Sequence, residues 1–402
     1  MTAAPKPSPR VRQRNKEFID RLLGVVAIVT ILAAYIFGLT RAETDVIASF
    51  QQLVPSAQRF EPVSETVYAA YTGVQLVAYI TLGEATGYGG DLEMAVAVDP
   101  QGKLVNLAIL DDQETSDYNK RVAGAGWPGV LAGKSCQDPF QLGQDVDGIT
   151  GATYTASAIA EAVRRGCRQM AALGVGDPSA AETRARIQFG VPEVTLILLF
   201  AVGFFAHRQK FKYTRQARWV SMIAGMLILG FWFNRPLSII NINQLLLGTW
   251  PSWQNNLYWY LLLGGIFLVT TADNKNPYCE WFCPFGATQE CLGAVGGAKV
   301  RSPGKFKPYL VWLHRGLAWL AIVLALIFRN PTISSYEVFS GLFDRIASTP
   351  IFIVLGIVLV ASLFIKRPWC TYLCPLQPVV EFIQMIRKWV IELWKKTVRT
   401  TA

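Results

Sequence analysis

Two nine-residue segments carry side chains suited to metal binding: Pro277-Tyr278-Cys279-Glu280-Trp281-Phe282-Cys283-Pro284-Phe285 and Pro368-Trp369-Cys370-Thr371-Tyr372-Leu373-Cys374-Pro375-Leu376. Both read Pro-aromatic-Cys-x-x-x-Cys-Pro-apolar, and every matched position is offset by 91 residues, as are Glu290 and Glu381. Cysteines four apart on a helix share one face, so both sulfurs are expected to point at one centre. Proline after the second cysteine limits the helix and frees nearby backbone to turn toward the sulfurs. Cys279, Cys283, Cys370 and Cys374 offer four thiolates, enough for one iron–sulfur cluster. A structural Cys₄ zinc site needs the same count, and would make the protein a zinc-stabilised scaffold. Inert buried cysteines are disfavoured, because the repeat holds four of the seven cysteines in the chain. Cys291 has no counterpart in the second copy, where Phe382 stands, and is at most an optional ligand. His207 and His314 are read as locally hydrogen-bonded rather than as haem ligands.

A second motif, Asp147-Gly148-Ile149-Thr150-Gly151-Ala152-Thr153, leads into a helical run from Ala156 to Met170, apolar at Ile159, Val163 and Met170. A helix start has unpaired N–H groups and a positive dipole end, so a phosphate is at home there. Gly151 lets the backbone approach a bulky group closely. A threonine-rich helix cap without any ligand is the alternative on local sequence alone.

These motifs sit in a chain built for a membrane. Only 16% of its 402 residues are charged and 52% are hydrophobic, against roughly 25% charged in soluble domains. The apolar runs Leu22–Leu39, Val191–Ala206, Trp219–Phe233, Leu257–Thr270, Tyr309–Phe328 and Pro350–Ile365 are expected to be six transmembrane helices. Tilt and aromatic flanks such as Trp219, Trp250 and Trp259 would extend the shorter ones. Arg10, Arg12, Arg14, Lys16 and Arg21 precede the first run and place the N-terminus in the cytoplasm. Its long apolar core and lack of a small-x-small site favour an uncleaved anchor over a signal peptide. Alternation puts 207–218, 273–307 and the tail after Lys366 inside, all rich in Lys and Arg. Residues 41–186 fall outside and hold 11 basic against 18 acidic residues, although the whole chain is +10. Topology accounts for that charge, so no nucleic-acid partner is expected. Membrane lipid is. Both cysteine copies follow a span on the same side, so the two halves should be related about the membrane normal. The tail from Arg387 to Arg399, with Trp389, Ile391 and Trp394, reads as a basic helix on the membrane surface.

The expected organisation is therefore a cytoplasmic N-terminus at 1–21, an anchor at 22–40, an extracytoplasmic domain at 41–188 and a membrane domain at 189–402. The outer domain reads as α+β. Strands are expected within Val67–Leu82, at Met94–Val98 and at Leu104–Leu110, with turns at Gly87-Tyr88-Gly89-Gly90 and Asp99-Pro100-Gln101-Gly102. Its acidic surface would favour a basic partner, or simply keep it soluble. Cys136 and Cys167 lie in the oxidising compartment, where a disulfide is permitted; nothing in their spacing demands one.

Residues 65–175 resemble bacterial FMN-binding domains, whose D-x-x-[ST]-G-A-T signature matches Asp147–Thr153. The resemblance implies that a flavin transferase esterifies FMN phosphate onto Thr153, with Asp147, Thr150, Gly151 and Ala152 around the attachment point. Gly87–Gly90 and Asp112-Gln113-Glu114-Thr115 are further landmarks, and Glu114 and Thr115 would help hold the flavin. Relatives often continue E-T-P-G where this chain has Glu114-Thr115-Ser116-Asp117. Paired C-x-x-x-C-P motifs on hydrophobic helices resemble the membrane iron–sulfur proteins that accompany nitrate and nitrous oxide reductases. Joined to an FMN domain, they resemble the NosR/NirI-like flavoproteins over nearly the whole chain. The resemblance implies a bacterial inner-membrane protein with both termini cytoplasmic and its FMN domain periplasmic. It would transfer electrons between a cytoplasmic-side cluster, 4Fe-4S rather than 2Fe-2S, and the periplasmic flavin. Fuller members carry C-x-x-C-x-x-C-x-x-x-C-P runs, and none follows Pro375. A separate cytoplasmic or membrane donor and a periplasmic acceptor are therefore expected. A quinone is an admissible carrier across the ~30 Å hydrocarbon core, with no signature of its own. The competing expectation is a redox sensor or maturation factor for a periplasmic metalloenzyme.

Overall fold

The computed structural model of the chain describes all residues except 1–8, 41–45, 88, 113, 115, 128, 150–152, 175–186, 188, 209–211, 252, 255, 301–303 and 402. A sheet of five antiparallel strands forms the inserted domain in the order β1 (Arg59–Pro62), β2 (Val67–Thr72), β3 (Gln75–Thr86), β4 (Asp91–Val98) and β5 (Leu104–Asp112). Each strand pairs with the next in sequence, and Gly73 and Gly102 supply the positive φ that the tight turns require. Between the N-terminal helix α1 (Pro9–Leu39) and the sheet lies a short helix, α2 (Val46–Leu53), which the sequence reading does not anticipate. Alternation along the strands splits the sheet between two cores. Val67, Leu92, Met94, Val96 and Val98 pack with Ile159, Val163 and Met170 of α4 (Thr153–Ala172). Ala70, Ala78, Ile80, Ala95 and Ala97 pack with Phe50 and Leu53 of α2. Each fully buried Ile, Val or Leu contributes roughly 1.5–3 kcal/mol. The close fit of α4 needs Gly83, where a Cβ would stand 2.0 Å from the Ala162 carbonyl. A short helix, α3 (Ser116–Gly124), follows β5. Cys136 and Cys167 form a disulfide, Cα to Cα 5.3 Å, tying the loop before the flavin motif to α4.

All six expected spans are helical. They correspond to α1, α5 (Val191–Arg208), α6 (Thr214–Ala224) with its π-helical continuation Gly225–Trp232, α8 (Leu257–Asp273), α10 (Lys307–Phe328) and α12 (Thr349–Ser362). Among the described residues two stretches, Phe18–Leu39 and Gly304–Phe328, are long and apolar enough to cross a membrane; three more apolar helices are shorter. Large apolar side chains such as Trp232, Phe267, Leu268, Ile357 and Val360 are exposed around the bundle, an arrangement suited to lipid rather than water. The chain is thus helical with an inserted antiparallel-sheet domain.

The duplication extends further than the cysteine motifs. The first copy runs α6, α7 (Ile239–Leu247), α8, a π turn Tyr278–Phe282 and α9 (Pro284–Gly296). The second repeats this order as α10, α11 (Phe339–Phe343), α12, α13 (Pro368–Tyr372) and α14 (Leu376–Thr401). Each begins with a long helix and passes through a short one to an apolar one, a cysteine turn and a closing helix. Arginine and glutamate mark the same ends in both: Arg218 of α6 pairs with Glu290 of α9 at 2.6 Å, and Arg315 of α10 with Glu381 of α14 at 3.2 Å.

Candidate functional site

The cysteine motifs are not the single helical turns that their four-residue spacing predicts. Cys279 lies in the π turn, and Cys283 caps it with an extended ψ of 121°. Cys370 lies in α13, which ends at Tyr372 before Cys374. The cause is the proline after each second cysteine, which bars the preceding residue from helical geometry. Both motifs nevertheless converge. Cys279 stands within electrostatic reach of Cys283 and Cys370, and Cys374 within reach of Cys279, Cys283 and Cys370. Cys283 and Cys374 are buried.

Polar groups that the sequence reading missed orient these sulfurs. Asn276 Nδ2 donates to Cys279 Sγ at 3.2 Å, and Gln289 Nε2 donates to Cys370 Sγ at 3.2 Å. Gln289 Oε1 also accepts from the Trp369 N–H at 3.0 Å, so one side chain of the first copy spans the second motif. Arg367 donates to the Cys279 carbonyl at 2.7 Å and pairs with Glu290 at 2.8 Å. Burial alone would lift the Glu290 carboxyl, but Arg218 and Arg367 bring it below the usual range. His314 Nε2 donates to the Cys374 carbonyl, in keeping with a local hydrogen-bonding role; the His207 side chain lies outside the described residues. One signal for part of this shell was legible: Asn276 and Arg367 stand three residues before the first cysteine of each copy.

The donor set suits an iron–sulfur cluster. Four converging thiolates, two of them buried and two half-buried, need a positive centre among them. A structural zinc would use the same four sulfurs, each ~2.3 Å from the metal. A cluster brings its own iron and sulfide and accepts thiolates farther apart. Sulfur-directed N–H groups such as Asn276 and Gln289 are what tune its potential. Cys291 is half-buried on α9 with its thiol next to Glu290, outside this group.

In the sheet domain Thr153 opens α4, one turn earlier than the apolar periodicity suggests. Its position at a helix N-terminus is the one a phosphate favours. Asp147 is exposed in the preceding loop, while Ile149 is buried. Thr115, Thr150, Gly151 and Ala152 lie outside the described residues, as does the Thr153 side chain. Glu114 is buried beside the Gly87–Gly90 turn, where Gly87 N–H donates to the Gly90 carbonyl at 2.7 Å. A Cβ on Gly87 would stand 1.9 Å from Glu114 Oε1 and 3.6 Å from Ala158 of α4. Glycine here lets the turn, Glu114 and α4 pack closely as one cradle, which suits a bound flavin.

That cradle faces the membrane domain. Gln244 Nε2 of α7 donates to the Gly89 carbonyl at 3.0 Å, and Thr332 Oγ1 donates to the Glu114 carbonyl at 3.1 Å. Tyr118 of α3 and Asn234 both donate to Asp344 Oδ2; burial holds that carboxyl above its usual range despite both bonds. Ile346 completes the apolar core beneath α4.

Residues 87–168 match the FMN-binding domain family, and residues 255–303 with 348–392 match the 4Fe-4S binding domain family. The chain is 30% identical over 126 residues to a component of the proton-translocating ferredoxin:NAD(+) oxidoreductase complex of Clostridium ljungdahlii, covering 29% of this chain and 68% of that protein. It is 26% identical to Protein NirI of Paracoccus denitrificans over 46% of this chain and 30% of the relative. It is also 26% identical to the regulatory protein NosR of Pseudomonas aeruginosa, over 47% of this chain and 28% of the relative. The chain thus spans less than a third of NirI and NosR. With both cofactor domains matched in one polypeptide, the chain belongs to the NosR/NirI-like flavoproteins, electron-transport proteins that join an FMN-binding domain to a 4Fe-4S domain.

Proposed function

We propose that the chain carries electrons through a membrane between a 4Fe-4S cluster held by Cys279, Cys283, Cys370 and Cys374 and an FMN esterified to Thr153. The cofactors supply the redox chemistry; the protein positions and tunes them. One observation carries this reading. The loop between the π segment and α7 is bonded to both halves: Leu237 N–H donates to Tyr278 OH, beside Cys279, at 2.7 Å, and Asn234 meets Tyr118 of the flavin domain at Asp344. Tyr258, opening α8, donates to the Arg235 carbonyl at 2.9 Å in the same loop. Tyr278 and Tyr258, from opposite ends of α8, thus both bond to residues 235–237. The cysteine turn and the flavin domain thus share one loop, which supports a path shorter than the full ~30 Å hydrocarbon core.

In this reading 22–40 is an anchor, 41–188 the periplasmic flavin domain and 189–402 the membrane domain, with six spans and cytoplasmic termini. A separate donor feeds the cysteine side and a periplasmic protein takes the electron. Purified full-length protein, made with a flavin transferase, should show in-gel flavin fluorescence, iron with sulfide, and a reduced-state EPR signal. No iron after anaerobic purification would remove the cluster half of the reading. The likeness to a regulatory protein, NosR, favours a second reading, a redox sensor or maturation factor. Steady turnover with donor and acceptor supports transport; stoichiometric reduction without turnover supports sensing.

A further inference from the structure

A cavity of about 90 Å³ lies at the seam between the two domains. Gly87 contributes its flavin-domain wall, and Arg235, Asn241, Gln244, Tyr258 and Trp259 are among the residues of its membrane-domain wall. The wall is braced by two hydrogen bonds of Gln244, one of which crosses the seam. Trp259 Nε1 donates to Gln244 Oε1 at 3.1 Å, while Gln244 Nε2 donates to the Gly89 carbonyl at 3.0 Å. Gln244 is 2% exposed, so its amide is committed to this clasp. The Arg235 guanidinium lies 5.3 Å from the Tyr258 ring centre and 3.4 Å from the Glu193 carboxylate.

We infer that the ring of the flavin carried on Thr153 is held between the two domains, one edge entering this cavity against Arg235, Tyr258 and Trp259. This rests on the Thr153 attachment proposed above. Reach supports it: Ala158 of α4 stands 3.6 Å from where a Gly87 Cβ would be. Thr153 lies five helical residues further on, about 7.5 Å along the axis, a gap that the ribityl phosphate chain spans. Chemistry supports it too. The wall offers aromatic faces for stacking, the amides of Asn241 and Asn256 for the polar edge of the ring, and a cation beside it, as planar redox rings require. The volume admits one edge of a fused ring system, leaving the rest against the flavin domain's own turn. The flavin site is in this sense completed by the membrane domain.

Flavin emission in the native, full-length protein tests this, because an indole stacked on the ring quenches it. In-gel fluorescence after denaturation separately reports attachment. The expected result is quenched native emission in the wild type, several-fold recovery in Trp259→Leu, and an unchanged in-gel band. Trp259→Phe provides the same test should the leucine variant fail to fold, and Trp253→Leu, on an exposed residue of the loop before α8, should leave emission quenched. Arg235→Gln should lower the flavin midpoint potential, because it removes a cation that favours the reduced ring. Unchanged emission and potential in these variants, with the in-gel band intact, would overturn the cavity assignment. So would a water-soluble quinone analogue occupying the cavity, seen as quenching of Trp259 emission, with no response from the flavin. Absence of the in-gel band in the wild type would instead overturn the Thr153 attachment.

Discussion

Gln244 and Gly89 are joined by a hydrogen bond of 3.0 Å across 155 residues of sequence. The bond fastens the glycine turn of the flavin cradle to a short helix of the first membrane repeat. Replacing Gln244 with leucine leaves the Gly89 carbonyl and the Trp259 N–H without their partner, at a cost of about 1–3 kcal/mol each. Hydrogen exchange at residues 87–90 should accelerate in Gln244→Leu. Wild-type protection there would show that the two domains are held by other contacts alone.

Thr153→Val should abolish in-gel flavin fluorescence while preserving the fold, because valine keeps the shape of the side chain and removes only the hydroxyl. Undiminished fluorescence in this variant would move the attachment to another residue.

The cluster assignment separates ligands from tuning groups. Cys370→Ser should lose iron and the EPR signal. Gln289→Leu should retain iron but shift the midpoint potential downward, since it deletes the N–H aimed at Cys370 Sγ. Equal iron loss in both would make Gln289 a structural residue only.

Glu290 sits between Arg218 and Arg367 with 7% of its side chain exposed. Glu290→Ala strands two guanidiniums that are themselves partly exposed, so the cost falls at the lower end of a broken buried pair, about 3 kcal/mol. Thermal melting should reveal it. The matching Glu381→Ala, at a 42% exposed pair, should cost well under about 1 kcal/mol.

Burial lifts the Glu337 carboxyl to about 8, against the pull of its bond from the Ile239 N–H, whereas an unfolded glutamate titrates near ~4.3. Folding therefore binds a proton at this site. The stabilisation is fully present below about pH 4.3 and is lost as pH rises through about 8. The melting temperature of the wild type should fall between about pH 6 and about pH 9, more steeply than that of Glu337→Gln. Parallel profiles for the two proteins would refute the assignment.

Short motifs with local physics were legible before any coordinates. The helix after the flavin motif, strands β4 and β5, the extended stretch that Gly73 divides into β2 and β3, and all six apolar helices follow from periodicity and turn residues, though the division itself did not show. Strand β1 and helix α2 did not show, being only four and eight residues long. The Cys136–Cys167 bridge was chemically permitted yet undecided, because only the packing of α4 on the sheet brings those residues to a Cα separation of 5.3 Å. The proline signal was legible but misread: the spacing promised one helical face, while proline forced Cys283 into extended geometry.

The amino-acid sequence by itself determined which cofactor classes this protein suits, because thiolate count, C-x-x-x-C-P spacing and the D-x-x-T-G-A-T run are local properties of the chain. The arrangement between those cofactors belonged to the tertiary structure. Gln289 to Cys370 spans 81 residues, Arg218 to Glu290 spans 72 and Gln244 to Gly89 spans 155. Contacts at such separations are set by how helices pack, and no periodicity in the sequence encodes them. Packing alone placed the cysteine pocket behind the loop that the flavin domain grips.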